Sequence, residues 1–227
     1  MPRPFETLES VATSEGPLEL RRRGDRDFLI CIKGRVLMTS VAHRSEDALA
    51  RVACEGLGSR RNARILIGGL GMGFTLRAAL DVLAADANVT VAELNDVVAR
   101  WCTGPIAALT NDAARDPRVS IVIGNVADVI ARAAKSATCD ERYDAIAIDL
   151  YEGPQTKIKP SDELYGPAAT ARVLQALKPG GRYAVWCEQQ SLGFEQSLRS
   201  AGFRYDLIRS GRGARIHFVY VAHRPST

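Results

Sequence analysis

Residues Ile65 to Phe74 read ILIGGLGMGF: a short apolar run that breaks into alternating glycines and continues as FTLRAALDVLAA, which has helical periodicity. Strand, tight glycine turn and helix in that order open a doubly wound α/β sheet, in which ligands sit beyond the carboxyl ends of the strands. Gly69, Gly71 and Gly73 form GxGxG in this turn, and the missing Cβ atoms let a ligand approach the backbone. The dinucleotide fingerprint GxGxxG would need a third glycine where Phe74 stands, so the turn does not read as a pyrophosphate cradle.

Outward from this turn the chain alternates regularly. The apolar runs ARILIGG, NVTVAEL, VSIVIG, YDAIAIDL and GRYAVWCE are each followed by a longer segment of helical period, the pattern of a mostly parallel sheet buried on both faces. The ending differs: FRYDLIRSGRGARIHFVYVAHR reads as strand, Gly-rich turn, strand, and two strands without an intervening helix pair antiparallel. A parallel sheet finished by an antiparallel hairpin is similar to class I S-adenosylmethionine-dependent transferases. In front, Leu18 to Ser40 is strand-like around a Lys33-Gly34 turn, a small β-hairpin unit, and Arg44 to Glu55 has helical spacing. The expected division is a hairpin region over residues 1–43 and a nucleoside-binding domain over 44–227.

A length of 227 residues with 46% hydrophobic and 25% charged content suits one such domain with a small appendage. No apolar run approaches the roughly 20 residues of a membrane span, and MPRPFETLES has no apolar core of a secretory signal, so the expected location is the cytoplasm. Five scattered cysteines without a CxxC pair, and only three histidines, point away from disulfides and structural metal. Two arginine groups, Arg21-Arg22-Arg23 and Arg204, Arg209, Arg212 and Arg215, contribute to a net charge of +4. Lacking interleaved aromatics, they read as solvated faces and not as nucleic-acid contacts.

The next strand ends at Glu93, 20 positions after Gly73, where a carboxylate accepts hydrogen bonds from both hydroxyls of a ribose. A third strand ends in Gly124-Asn125, followed by Asp128, polar groups placed to read an adenine edge. Successive strand ends therefore offer Gly69, Gly71, Met72 and Gly73 to the amino-acid end of a donor, Glu93 to its ribose, and Asn125 and Asp128 to its base.

With these residues in place the chain resembles the spermidine synthase family of the class I methyltransferase fold. The likeness runs from about Leu18 to Val221 and is carried by RILIGGLGMG, VTVAELNDVV, DPRVSIVIGN, YDAIAIDL and LKPGG, most specifically by Asp116 to Val119 and the acid after YDAIAI. It implies that Asp149, in the loop DLYEGP, orients or deprotonates an attacking amine, with Glu152 near a second acid position and Tyr151 in support. It also implies pairing of the front hairpin between two subunits of a homodimer. The sequence departs from the family where GGGDGG is usual, with Met72 in place of the acid. A front glutamine is replaced by Leu37, and Arg44-Ser45-Glu46-Asp47 stands near a Tyr-x-Glu acceptor motif.

The expected function is transfer from S-adenosylmethionine or its decarboxylated form to a small-molecule acceptor, with an amine as one candidate, without metal, membrane or nucleic acid. Because Met72 removes a charge that favours the decarboxylated donor, the first expectation is methyl transfer from S-adenosylmethionine with Asp149 as base. Aminopropyl transfer to a diamine is the alternative, and a fold that binds a nucleoside or a partner without turnover is the second alternative. The stretch QTKIKPSDELYG after Asp149, with Lys157, Lys159, Asp162, Glu163 and Tyr165, is expected to cover the substrate as a lid.

Overall fold

The computed structural model describes residues 4–212 and 215–226. Its first strands form an antiparallel meander: β1 (Glu6–Thr13), β2 (Gly16–Arg23), β3 (Asp27–Ile32) and β4 (Arg35–Thr39), in the order β1-β2-β3-β4. The front unit is thus four-stranded and larger than the expected hairpin. β1 escapes sequence reading because its residues are mostly exposed and polar, and it becomes a strand only by pairing with β2. Arg21, Arg22 and Arg23 pair with Glu19, Glu6 and Asp27 on this sheet, which makes the first arginine group a solvated, internally balanced face.

After α1 (Arg44–Ala53) the alternation takes over: β5 (Arg64–Gly68), α2 (Phe74–Val82), β6 (Asn88–Glu93), α3 (Asp96–Cys102), β7 (Val119–Ile123), α4 (Val126–Ala134), β8 (Tyr143–Ile148), α5 (Pro167–Ala176), β9 (Leu177–Cys187) and α6 (Leu192–Ala201). The chain ends in β10 (Arg204–Arg212) and β11 (Arg215–His223), paired antiparallel. Strand order is β10-β11-β9-β8-β5-β6-β7, parallel except for the antiparallel neighbours of β11. This is the expected α/β architecture. The middle of the last turn, residues 213 and 214, and the side chains of Arg212 and Arg215 lie outside the described residues.

Every residue of β8 is buried, as an apolar strand in the middle of a covered sheet must be. One face of the sheet packs with α1, α2, α3 and the inner side of the front sheet, through Leu49, Ile65, Leu76, Val98, Leu18 and Ile30. The other packs with α4, α5 and α6 through Ile130, Ile146, Val173, Tyr183 and Phe194. The front sheet is fastened to α3 where Trp101 Nε1 donates to Glu9 at 2.7 Å and Arg100 pairs with the same carboxylate.

The LKPGG segment widens β9 opposite Asp144, and Lys178 reaches that buried carboxylate at 2.9 Å. The DPRV segment has a comparable structural duty. Asp116 accepts from the backbone N–H and the guanidinium of Arg118, whose Nη1 donates to the carbonyls of Leu80 and Leu83 at 3.0 and 3.1 Å. The cation thereby satisfies the last carbonyls of α2 and sits at the negative end of its dipole. The Arg118 hydrogen bonds hold Asp116 down at about 2.

Arg118→Ala is expected to lower unfolding free energy at neutral pH by about 1–3 kcal/mol, since it strands helix carbonyls and a carboxylate. Because Asp116 is depressed below its unfolded value of roughly 3.9, its contribution is present above that pH and lost as pH falls towards 2. Urea titrations of both chains should therefore show the gap narrowing through that window.

Candidate active site

Three strand ends are knitted together at the head of the sheet. Gly69 N–H donates to the carbonyl of Ala92 at the end of β6, and Asp149 N–H donates to the carbonyl of Gly68 at the end of β5, both at 2.8 Å. A Cβ on Gly69 would stand 2.3 Å from the carbonyl oxygen of Asp149, and Gly69 has φ +91°. Glycine is demanded here by the protein's own backbone before any ligand is considered. Gly73, at φ +84°, is the residue that turns the chain into α2, closing a turn with N–H to Leu70 carbonyl at 2.8 Å.

Glu93 clamps this turn. Its Oε2 accepts from Leu70 N–H and its Oε1 from Asn95 N–H, each at 2.9 Å, while the residue is only 7% exposed. Each carboxylate oxygen retains a lone pair towards the cavity it lines. Asn125 caps α4, its Oδ1 accepting from Ala127 N–H at 2.9 Å, which leaves its NH₂ as the group available to a ligand.

Beside these groups lies a cavity of about 370 Å³. Of the residues expected to form the site, Gly69, Gly71, Glu93, Asn125, Asp149, Tyr151 and Glu152 line it. Met72, Gly73 and Asp128 do not. The Met72 side chain is fully buried in the core beneath the turn, with Leu70 and Phe74. Asp128 sits in the first turn of α4 and is exposed.

Asp149 accepts a hydrogen bond from the Thr75 hydroxyl of α2. Although the residue as a whole is half-buried, burial of its carboxyl dominates and, with the Glu46 charge beside it, raises Asp149 to about 7 against the lowering effect of Thr75. Tyr151 OH donates to Glu15, in the β1–β2 turn, at 2.6 Å, which pushes the phenol up to about 12. Glu152 lies 3.8 Å from Arg35 of β4 at the exposed rim.

Glu46 is the principal site residue to which sequence reading gave no role beyond a place near the acceptor motif. It is 7% exposed, lines the cavity and accepts from Ser45 Oγ at 2.6 Å. A signal did exist: Glu46 shares the buried face of α1 with Leu49, Ala50 and Ala53, and an acid on an apolar helix face calls for a reason. Glu15, Leu37 and Met38 of the front sheet also line the cavity; the family resemblance marked the Leu37 position, and nothing local in the sequence pointed to Glu15 or Met38.

The stretch expected as a lid is instead packed down. Ser191 Oγ donates to the Gln155 carbonyl, Tyr165 is buried against Phe194, and Asp162 accepts from Leu164 and Tyr165 N–H as a turn cap. Lys157, Lys159 and Glu163 are exposed, and only Leu164 of this stretch reaches the cavity. Trp186 contributes to the wall, whereas Trp101 and Cys187 are buried. Burial pushes Cys54, Cys102 and Cys187 up to about 12, so these thiols are unreactive packing groups. Among the described residues no group of three or more His, Cys, Asp or Glu is arranged to hold a metal ion, and no helix is long and apolar enough to cross a membrane.

Comparison with known proteins bears on this geometry. No protein-family model matches the chain, and no curated protein matches it. Among solved structures it is similar to a spermidine synthase in complex with the transition-state analogue AdoDATO and to a spermidine synthase from Thermotoga maritima. Each is 18% identical with a TM-score of 0.71, over 100% of this chain and 82% of the other. The chain therefore has a spermidine synthase-like fold, a mostly parallel seven-stranded sheet preceded by an antiparallel four-stranded one.

Gly69→Ala should cost about 2–4 kcal/mol in urea unfolding, because backbone must move to relieve the contact and an L residue is strained at that φ. A penalty below 1 kcal/mol would mean that the two strand ends separate freely.

Proposed function

We propose that this chain transfers an aminopropyl group from decarboxylated S-adenosylmethionine to a small amine. One observation carries the reading: the cavity is lined by five carboxylates, Glu15, Glu46, Glu93, Asp149 and Glu152, and by no Lys, Arg or His among the described residues. Such a wall suits a sulfonium donor that ends in an ammonium, and a cationic acceptor. It disfavours a donor bearing an α-carboxylate, since two like charges about 5 Å apart repel by roughly 3 kcal/mol at an effective dielectric near 20.

The expectation of methyl transfer rested on Met72, and its side chain, held in the core, faces no donor in the cavity. The fold similarity to spermidine synthases favours the aminopropyl alternative over methyl transfer. A binding domain without turnover has no use for a carboxyl raised to about 7 beside a second acid at the cavity wall.

In this reading Glu93 receives the ribose hydroxyls on its free lone pairs, and the Asn125 amide donates to the adenine edge. Asp149 and Glu46 hold the acceptor nitrogen at the inner end of the cavity. The acceptor gives up a proton to Asp149, and its freed lone pair attacks the aminopropyl carbon bound to sulfur. The carbon–sulfur bond breaks, its electron pair stays on sulfur, and methylthioadenosine leaves as a neutral thioether. Orientation of the two substrates and removal of that proton are the chain's contributions. Glu15 and Glu152, at the rim, meet the far ammonium of a diamine; Tyr151 fixes Glu15 and Arg35 stands beside Glu152.

The test is release of methylthioadenosine from decarboxylated S-adenosylmethionine in the presence of putrescine. Asp149→Asn is expected to lower kcat/KM by about 100-fold or more while methylthioadenosine still binds, whereas Glu93→Ala should abolish that binding. For the wild type, kcat/KM should rise with pH through about 7, where Asp149 ionises, and Asp149→Asn should lose this limb. Faster turnover of S-adenosylmethionine to S-adenosylhomocysteine than of the decarboxylated donor would sink the proposal.

A further inference from the structure

We propose that Met38 sets the choice of donor by occupying the place at the glycine turn that a donor's α-carboxylate would need; this rests on the adenosyl-donor reading above. The residue comes from the front sheet and not from the nucleoside-binding sheet. β4 pairs with β3 as Ile30 to Met38 and Cys31 to Val36, so Leu37 is the extra residue of a bulge. In a regular strand consecutive side chains point to opposite faces. A bulge relaxes that rule and re-aims a side chain, and here both Leu37 and Met38 line the cavity.

Met38 then meets the turn closely. Its Sδ accepts from Met72 N–H at 3.2 Å, and its Sδ and Cε both lie 3.0 Å from where a Cβ on Gly71 would stand. Three other turn amides are committed within the protein: Gly69 to the Ala92 carbonyl, Leu70 to Glu93, and Gly73 to the Leu70 carbonyl. Gly71 N–H and Met72 N–H are then the donors that an anionic group entering the turn would seek; the Met38 thioether covers the second and its terminal atoms stand against the first residue.

Sulfur is a weak acceptor, so it satisfies that N–H without adding charge. A donor with an α-carboxylate has to displace the Met38 side chain and then face Glu46, Glu93 and Asp149 with no cation in the wall. A decarboxylated donor leaves Met38 where it is and presents an ammonium to the same acids. Selectivity of this kind comes from what the site excludes as much as from what it binds. It also explains how a turn with Met72, and no acid, still favours the decarboxylated donor: the discrimination lies in the sheet above the turn.

Calorimetric titration with S-adenosylmethionine, decarboxylated S-adenosylmethionine and methylthioadenosine tests this in the wild type, Met38→Ala and Met38→Val. Val keeps strand propensity while removing Sδ and Cε, and so gives the answer if Ala unfolds β4. The wild type is expected to prefer the decarboxylated donor, and both variants to lose about tenfold of that preference through tighter binding of S-adenosylmethionine. Methylthioadenosine, which has neither amino-acid end, should bind all three chains equally. A wild-type preference that survives both substitutions overturns the role of Met38 alone, as does a fall in methylthioadenosine affinity in both variants. No preference in the wild type overturns it together with the aminopropyl reading.

Discussion

The near-contact between Gly69 and the carbonyl of Asp149 is the constraint on which the site depends. Two adjacent parallel strands diverge at their carboxyl ends only as far as the residues there require. With no Cβ at Gly69, the ends of β5 and β8 stay together. The glycine turn and the candidate base are then one unit, and Thr75 in the first turn of α2 lies within hydrogen-bonding reach of the Asp149 carboxyl. Glu93 adds the third strand end by holding Leu70 N–H. The chain's own packing demands this arrangement, so the site is built before a ligand arrives, and little ordering remains to oppose binding.

Charge is distributed on this frame with a clear asymmetry. At the amino ends of the strands the buried Asp144 is matched by Lys178 and Arg60. At the carboxyl ends the cavity acids have no such cations in the wall among the described residues, and their neighbours are Ser45, Thr75, Tyr151 and, at the rim, Arg35. Burying carboxylates near each other raises their proton affinity, visible in Asp149. An entering cation relieves that tension. The same physical term therefore carries a cost that an entering cation offsets.

The front sheet completes the cavity. It is fastened by the Trp101 and Arg100 bonds to Glu9, midway along β1 and away from the Glu15 turn. Through Glu15, Leu37 and Met38 it supplies one acidic and two apolar contacts to the cavity in addition to those of the seven-stranded sheet.

Local pattern in the sequence was enough for the alternation of strands and helices, the closing hairpin, the glycine turn, and the acids at the ends of β6 and β8. Each is written in period, in strand-end position or in glycines that no other residue replaces. β1 was not legible, because an exposed polar strand exists only through its partner. Glu46, Glu15 and Met38 were not legible as parts of one cavity. They lie on α1, in the β1–β2 turn and on β4, and only the docking of those elements over the turn brings them to Asp149. Met72 shows the limit from the other side: its position in the motif pointed to a ligand, and the direction of the backbone at that residue sent its side chain into the core. Sequence by itself determined which residue types stand at the strand ends, because period and glycine chemistry are local. Which of them face a common space was decided by the tertiary structure alone, because that depends on how separate elements pack and on which way each Cβ points.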